Sequence, residues 1–223
     1  MTTKESLLIQ SMALRFPSDQ NQSAGWIAYA NFLTDSLAVW SDADMLTFLA
    51  EALMVLTPAA YFENETMRGP GALKPTAGEA MHHLEEALKR NPTHPLALHL
   101  YIHITEPGTP GFHGPGIHAG RGDAAATTLA ALNLTGSGHL EHMPGHLFLR
   151  VGKYAQAVES NKMAHLADDL YVTNSMSPYG PGLFLLSPPS SPSAVLLLFL
   201  SSSALLHLLT LPLPPVQVTT RTS

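Results

Sequence analysis

The run Gly145-His146-Leu147-Phe148-Leu149-Arg150-Val151-Gly152-Lys153-Tyr154-Ala155-Gln156-Ala157 decides how this chain is read. Its first half closes a helix expected over residues 139–151. Gly152 then ends that helix, because glycine enters the left-handed conformation of a helix C-terminus without a Cβ penalty. A second helix is expected from Lys153 to Asp169. So short a link makes the chain double back, and the two helices form a hairpin.

Working outward, the first 170 residues read as helix after helix, with no convincing alternation of period two. Apolar spacing predicts helices over 5–15, 23–39 and 41–56, the last opened by Ser41-Asp42-Ala43-Asp44 as cap and stopped by Pro58. Residues 57–74 are rich in Pro and Gly and read as a connection. Thr76 with Glu79 forms a capping-box pattern for a helix to Arg90, and Asn91-Pro92 stops it. Pro95, at a favoured first position, starts a helix to about Glu106. A glycine-rich loop follows over 108–122, then an alanine-rich helix over 123–132. Trp26 and Trp40 are expected in the core.

Three segments share a frame of alanines seven residues apart: 80–87, 124–131 and 157–164. The last two are offset by 33 residues, and the first two by 44, which is a period of about 34 plus an insertion in the glycine-rich loop. On these positions the chain resembles the tetratricopeptide repeat, through Gly145-x-x-Phe148-x-x-x-Gly152-x-Tyr154-x-x-Ala157 with Ala164, and through Ala80-x-x-x-Leu84-x-x-Ala87 with Pro92. Ala50-Glu51-Ala52-Leu53-Met54, Asn91-Pro92-x-His94-Pro95-x-Ala97-x-His99-Leu100-Tyr101-Ile102-His103 and Gly138-His139-Leu140-x-His142-Met143-Pro144-x-His146 resemble, more narrowly, an uncharacterised bacterial-type group of such proteins. The resemblance spans roughly residues 20–170 and implies an all-α fold, an α-solenoid of antiparallel helix pairs. The expected organisation is N-terminal helices over 1–40, the repeat domain over 41–170 and a Ser/Pro/Leu-rich tail over 171–223.

Eleven of the twelve histidines lie between residues 82 and 165. At about 100° per residue, His99 and His103 fall on one helical face, with Glu106 bordering it, and His139, His142 and His146 share another. The repeat register implied by the resemblance places these residues on the concave groove. In that register Glu51, His103 and His146 form one row across three helices, with Thr47, His99 and His142 beside it, and Asp44, Glu106, His139 and Arg150 lining the same groove. Pro144 removes a backbone donor and is expected to kink or restart its helix.

Imidazole and carboxylate are zinc ligands, so Glu51, His99, His103, His142 and His146 are the candidate metal set, with zinc the expected ion. The competing expectation is a hydrogen-bonded polar stripe without metal. Two functions follow: an interaction module, not an enzyme, holding a peptide or partner terminus in a histidine-rich groove, or a zinc-binding protein, extending to a metal-dependent hydrolase. Neither His-x-x-x-His pair carries the Glu of the metalloprotease motif, and there is no phosphate loop or dinucleotide fingerprint.

Composition removes other classes. Eleven basic against seventeen acidic residues give a net charge of −6, which opposes binding to nucleic acid. The absence of cysteine excludes disulfide scaffolds, Cys-based zinc fingers and thiol nucleophiles. The first residues lack a basic segment followed by an apolar run, so a cytoplasmic location is expected. Residues 170–220 contain no Asp, Glu, Lys or Arg, and residues 194–213 are long enough for a tail anchor, the membrane alternative. A non-native terminus of biased composition is the preferred reading of 177–223, and no function is placed there.

Overall fold

A computed structural model describes residues 1–17, 21–57, 61–63, 72–111 and 117–175. The tail with its candidate anchor over 194–213, much of the 57–74 connection and His113 in the glycine-rich loop lie outside the described residues.

The described residues are all-helical. They form α1 (Thr3–Arg15), α2 (Gln22–Ser36), α3 (Ala43–Val55), α4 (Pro75–Arg90), α5 (Pro95–Thr105), a 3-10 turn at Ala119–Gly122, α6 (Asp123–Ala131), α7 (Gly138–Arg150) and α8 (Tyr154–Ser175). Among them there is no strand, only isolated bridges between Phe62 and Leu73 and between Thr109 and His118. No helix among the described residues is long and apolar enough to cross a membrane.

Each helix packs on the next along the chain, most extensively α3 on α4 and α7 on α8, and α5 also lies against α7. Burial explains why. Leu33, Met45, Leu49, Leu84, Ile102, Ile104, Leu129, Met143 and Leu147 are fully buried and come from six helices, α2 to α7, so no helix hides its apolar stripe alone. Ala80, Ala87, Ala97 and Ala157 have no exposed surface, and such small side chains let neighbouring helices approach closely.

Local chemistry sets the ends. Asp42 caps α3 by accepting from the Met45 backbone N–H at 3.0 Å. Gly152 takes φ +80° in the turn between α7 and α8, as its type requires. His94 caps α5 through Nδ1, which accepts from the Ala97 N–H at 3.2 Å, so its proton sits on Nε2 and faces Asp44 Oδ1 at 2.8 Å.

Several expectations are corrected. The capping box is not at Thr76: α4 starts at Pro75, its cap Lys74 makes no side-chain bond, and the box is formed instead by Thr2 and Glu5 on α1. The middle alanine frame is displaced. Ala124 and Ala131 are exposed, whereas Ala119 and Ala126 are fully buried, so the buried seven-residue pairs are Ala80/Ala87, Ala119/Ala126 and Ala157/Ala164, offset by 39 and 38 residues. The 3-10 turn supplies the first member of that pair, a position helical spacing alone does not reveal. Pro144 lies buried within one continuous helix, α7. Asp168 and Asp169 do not end α8, which runs on to Ser175. Trp40 is 42% exposed rather than core, its indole N–H donating to Asp42 Oδ2 at 2.9 Å.

Candidate metal centre

The contact of α5 with α7 brings together histidines about 40 residues apart in the chain. His99, His103 and His139 each offer a ring nitrogen, and the three nitrogens lie within 4.8 Å of one another. His99 Nε2 is 3.2 Å from His139 Nε2, and the His99 and His103 ring centroids lie 4.7 Å apart with their planes tilted by 55°. His139 is exposed and the other two are half-buried, so the cluster opens on solvent at one side.

One turn further along α7 a second pair stands. His142 Nε2 and His146 Nε2 face each other at 2.8 Å. His146 Nδ1 meets Glu106 Oε1 at 3.1 Å, and His142 Nδ1 meets Asn161 Oδ1 on α8 at 2.7 Å. Arg150, at the end of α7, donates to the backbone carbonyls of Glu106 and Gly108 at 3.1 and 2.7 Å. It therefore ties off the C-terminus of α5 and holds Glu106 against His146.

His99, His103, His139 and His142 are poised as neutral ligands. Burial, with the neighbouring histidine charges, pushes His99 down to about 3. Burial pushes His103 and His142 down to about 4, His142 with help from His146. His139 is lowered by burial and by His146. Burial alone would raise Glu106, but the hydrogen bond and charge of His146, with His103 and Arg150 nearby, hold it below the usual carboxylate range. Near neutral pH the lowered rings carry lone pairs, the form a metal takes.

The expected set is only partly assembled. His99 and His103 do meet, and the third member of their triad is His139, expected as a groove residue. His142 and His146 pair with each other. The carboxylate beside the histidines is Glu106. Glu51 is held by Arg15 of α1, Oε1 and Oε2 each accepting at 2.7 and 2.8 Å, and that bridge uses both of its oxygens. Asp44 is taken by Lys4 and His94, and the Lys4 contact holds its pKa low. Thr47 does not line a groove, since it is fully buried and donates to the Ala43 carbonyl at 2.7 Å. Asn161 escaped the sequence reading, because an amide on a helix expected to be ordinary carries no signal until α8 is docked on α7.

Compared with known proteins, the chain finds no match to a protein family, to a curated protein or to a solved structure.

Proposed function

We propose that the protein is a helical-repeat chain of tetratricopeptide-like hairpins whose α5–α7 face binds a divalent transition metal of the zinc class. The observation that carries this reading is the triad His99, His103 and His139, with nitrogens within 4.8 Å of one another. Two ligands at 2.0–2.1 Å from a tetrahedral ion stand about 3.3 Å apart, close to the 3.2 Å between His99 and His139 Nε2. Three protein ligands leave a fourth position open, the coordination of zinc that activates water or binds a substrate oxygen. Cysteine is absent from the chain, so imidazole is the natural ligand here, and imidazole suits Zn²⁺, Ni²⁺ and Cu²⁺.

Peptide capture in the same groove draws less support. Asp44 and Arg150, charges expected to greet a partner, are already engaged within the chain. Metal analysis of tag-free protein decides between the two. At least one equivalent of zinc, lost in His103→Ala and His139→Ala, together with a melting temperature that falls on chelation, is the expected result. Less than about a tenth of an equivalent, with no thermal response to chelator, overturns the metal reading.

A further inference from the structure

The protons on the second histidine pair can be placed from their partners. The Asn161 side-chain nitrogen donates to the Ala157 carbonyl at 2.8 Å, so its oxygen is the atom turned to His142. An amide oxygen only accepts, and His142 Nδ1 must donate to it. His146 Nδ1 likewise donates to the Glu106 carboxylate. In a neutral imidazole whose Nδ1 carries the hydrogen, Nε2 carries a lone pair. With both rings neutral, two such Nε2 atoms point at each other across 2.8 Å; with a proton on the pair, one Nε2 donates to the other. Facing lone pairs repel, and a shared cation turns that repulsion into bonding. Moreover, a ring N–H donated to a carboxylate or a carbonyl oxygen is the arrangement that fixes the tautomer of metal-ligating histidines.

We propose that His142 and His146 form a second metal position, distinct from the His99, His103 and His139 triad, taking a zinc-class divalent ion through their two Nε2 atoms. Opening the pair from 2.8 Å to about 3.3 Å seats both nitrogens at zinc distance. That movement is within reach of two side chains on successive turns of one helix. Water or an oxygen ligand fills the remaining coordination. Asn161 and Glu106 act as positioning residues. The proposal rests on the metal-binding reading of this face but uses different ligands, so the two can fail separately.

The test is equilibrium dialysis of the full-length, tag-free chain against Zn²⁺, with ¹⁵N spectra of the imidazole nitrogens. Two equivalents are expected in the wild type, one in His142→Ala and His146→Ala, and one in His99→Ala. Zinc should shift the Nε2 resonances of His142 and His146 in the wild-type protein, a readout that does not depend on any variant folding. A single equivalent that survives His142→Ala and His146→Ala, with those resonances unmoved by zinc, overturns the second position and leaves the first. A single equivalent lost only in His142→Ala and His146→Ala overturns the first and supports the second. No bound zinc, with the pair holding a shared proton only, overturns both.

Discussion

Asn161 holds His142 from the neighbouring helix, its side-chain oxygen 2.7 Å from His142 Nδ1 while its own amide nitrogen is anchored 2.8 Å from the Ala157 carbonyl. Asn161 is 7% exposed and His142 5%, so neither bond can be replaced cheaply by water. Asn161→Ala is therefore expected to cost about 1–3 kcal/mol, the penalty for a buried polar group left without its partner. It should also weaken the proposed metal position at His142 and His146 about 10- to 100-fold, as loss of an orienting partner does. Urea unfolding and a zinc titration check the two effects. An Asn161→Ala chain with unchanged zinc affinity would show that the amide only packs.

The same amide meets Gly145. A Cβ added there would stand 2.9 Å from Asn161 Nδ2 and 3.4 Å from the Ala157 carbonyl oxygen. The contact is the close approach of α7 and α8, and a Cβ there would displace the buried Asn161 amide. Gly145→Ala should destabilise the chain by about 1–3 kcal/mol through overpacking. Gly136→Ala is the control, since a Cβ there meets nothing within 4 Å. Equal stability of the two variants in denaturant would contradict the tight α7–α8 contact.

The lowered histidines predict an acid-sensitive fold when metal is withheld. An unfolded chain takes up protons on histidine near pH 6.5. The folded chain resists until about 3 at His99 and about 4 at His103 and His142. Between those limits the unfolded state binds more protons, so stability is complete above about pH 6.5 and declines as pH falls toward 4. Unfolding in urea with chelator present, at pH 7.5, 6 and 5, should show the midpoint dropping with pH. His99→Gln should flatten the slope, and a wild-type midpoint independent of pH would disprove the burial of these rings as neutral groups.

Much of this was legible along the chain, for definite reasons. Helices were readable because Leu7, Leu33, Leu49, Leu84 and Leu147 fall on apolar stripes bounded by Pro and Gly. The pairing of His99 with His103, and of His142 with His146, followed from a rotation of about 40° over four residues. What could not be read was the joining of distant partners. His139 reaches His99 because of how far α7 slides along α5, a quantity no helical period contains. Glu106, not Glu51, is the carboxylate beside the histidines, because Arg15, 36 residues before Glu51, holds the latter. The alanine frame slipped because a 3-10 turn, whose rise differs from that of an α-helix, leads into α6.

Glu51 supplies a direct check of that substitution of roles. Its two oxygens grip Arg15 in a two-bonded pair whose side chains are 22% and 23% exposed, and the guanidinium lies 4.9 Å from the centre of the Tyr29 ring. Breaking so shielded a pair should cost about 1–2 kcal/mol, above the range of fully exposed pairs. Zinc stoichiometry in Glu51→Ala should equal that of the wild type. A lost equivalent would return Glu51 to the ligand set.

Glu141 stands in the first turn of α7, where negative charge is ordinarily welcome, yet it is only 4% exposed and its Oε1 has no hydrogen-bond partner among the described residues. Burial raises its pKa, against the smaller pull of a backbone hydrogen bond from Leu134. A carboxyl raised in the fold favours the native state when protonated, so its contribution is present below about pH 4.3 and is lost as pH climbs through the folded value. Near pH 8 the ionised group is a buried charge with one oxygen unsatisfied. Glu141→Gln keeps the shape and the bond to Leu134 while removing the charge. It gives up a helix-terminus interaction worth about 0.3–1 kcal/mol and escapes a desolvation penalty that is larger for so buried a group. The variant should therefore unfold at higher denaturant than wild type at pH 8, by up to about 1 kcal/mol, the scale of one satisfied buried polar group. Its advantage should shrink on acidification, because the wild-type carboxyl takes up its proton above the usual carboxylate range. An advantage that grows instead on acidification would mean that the Glu141 charge is stabilised by the α7 terminus more than it is penalised by burial.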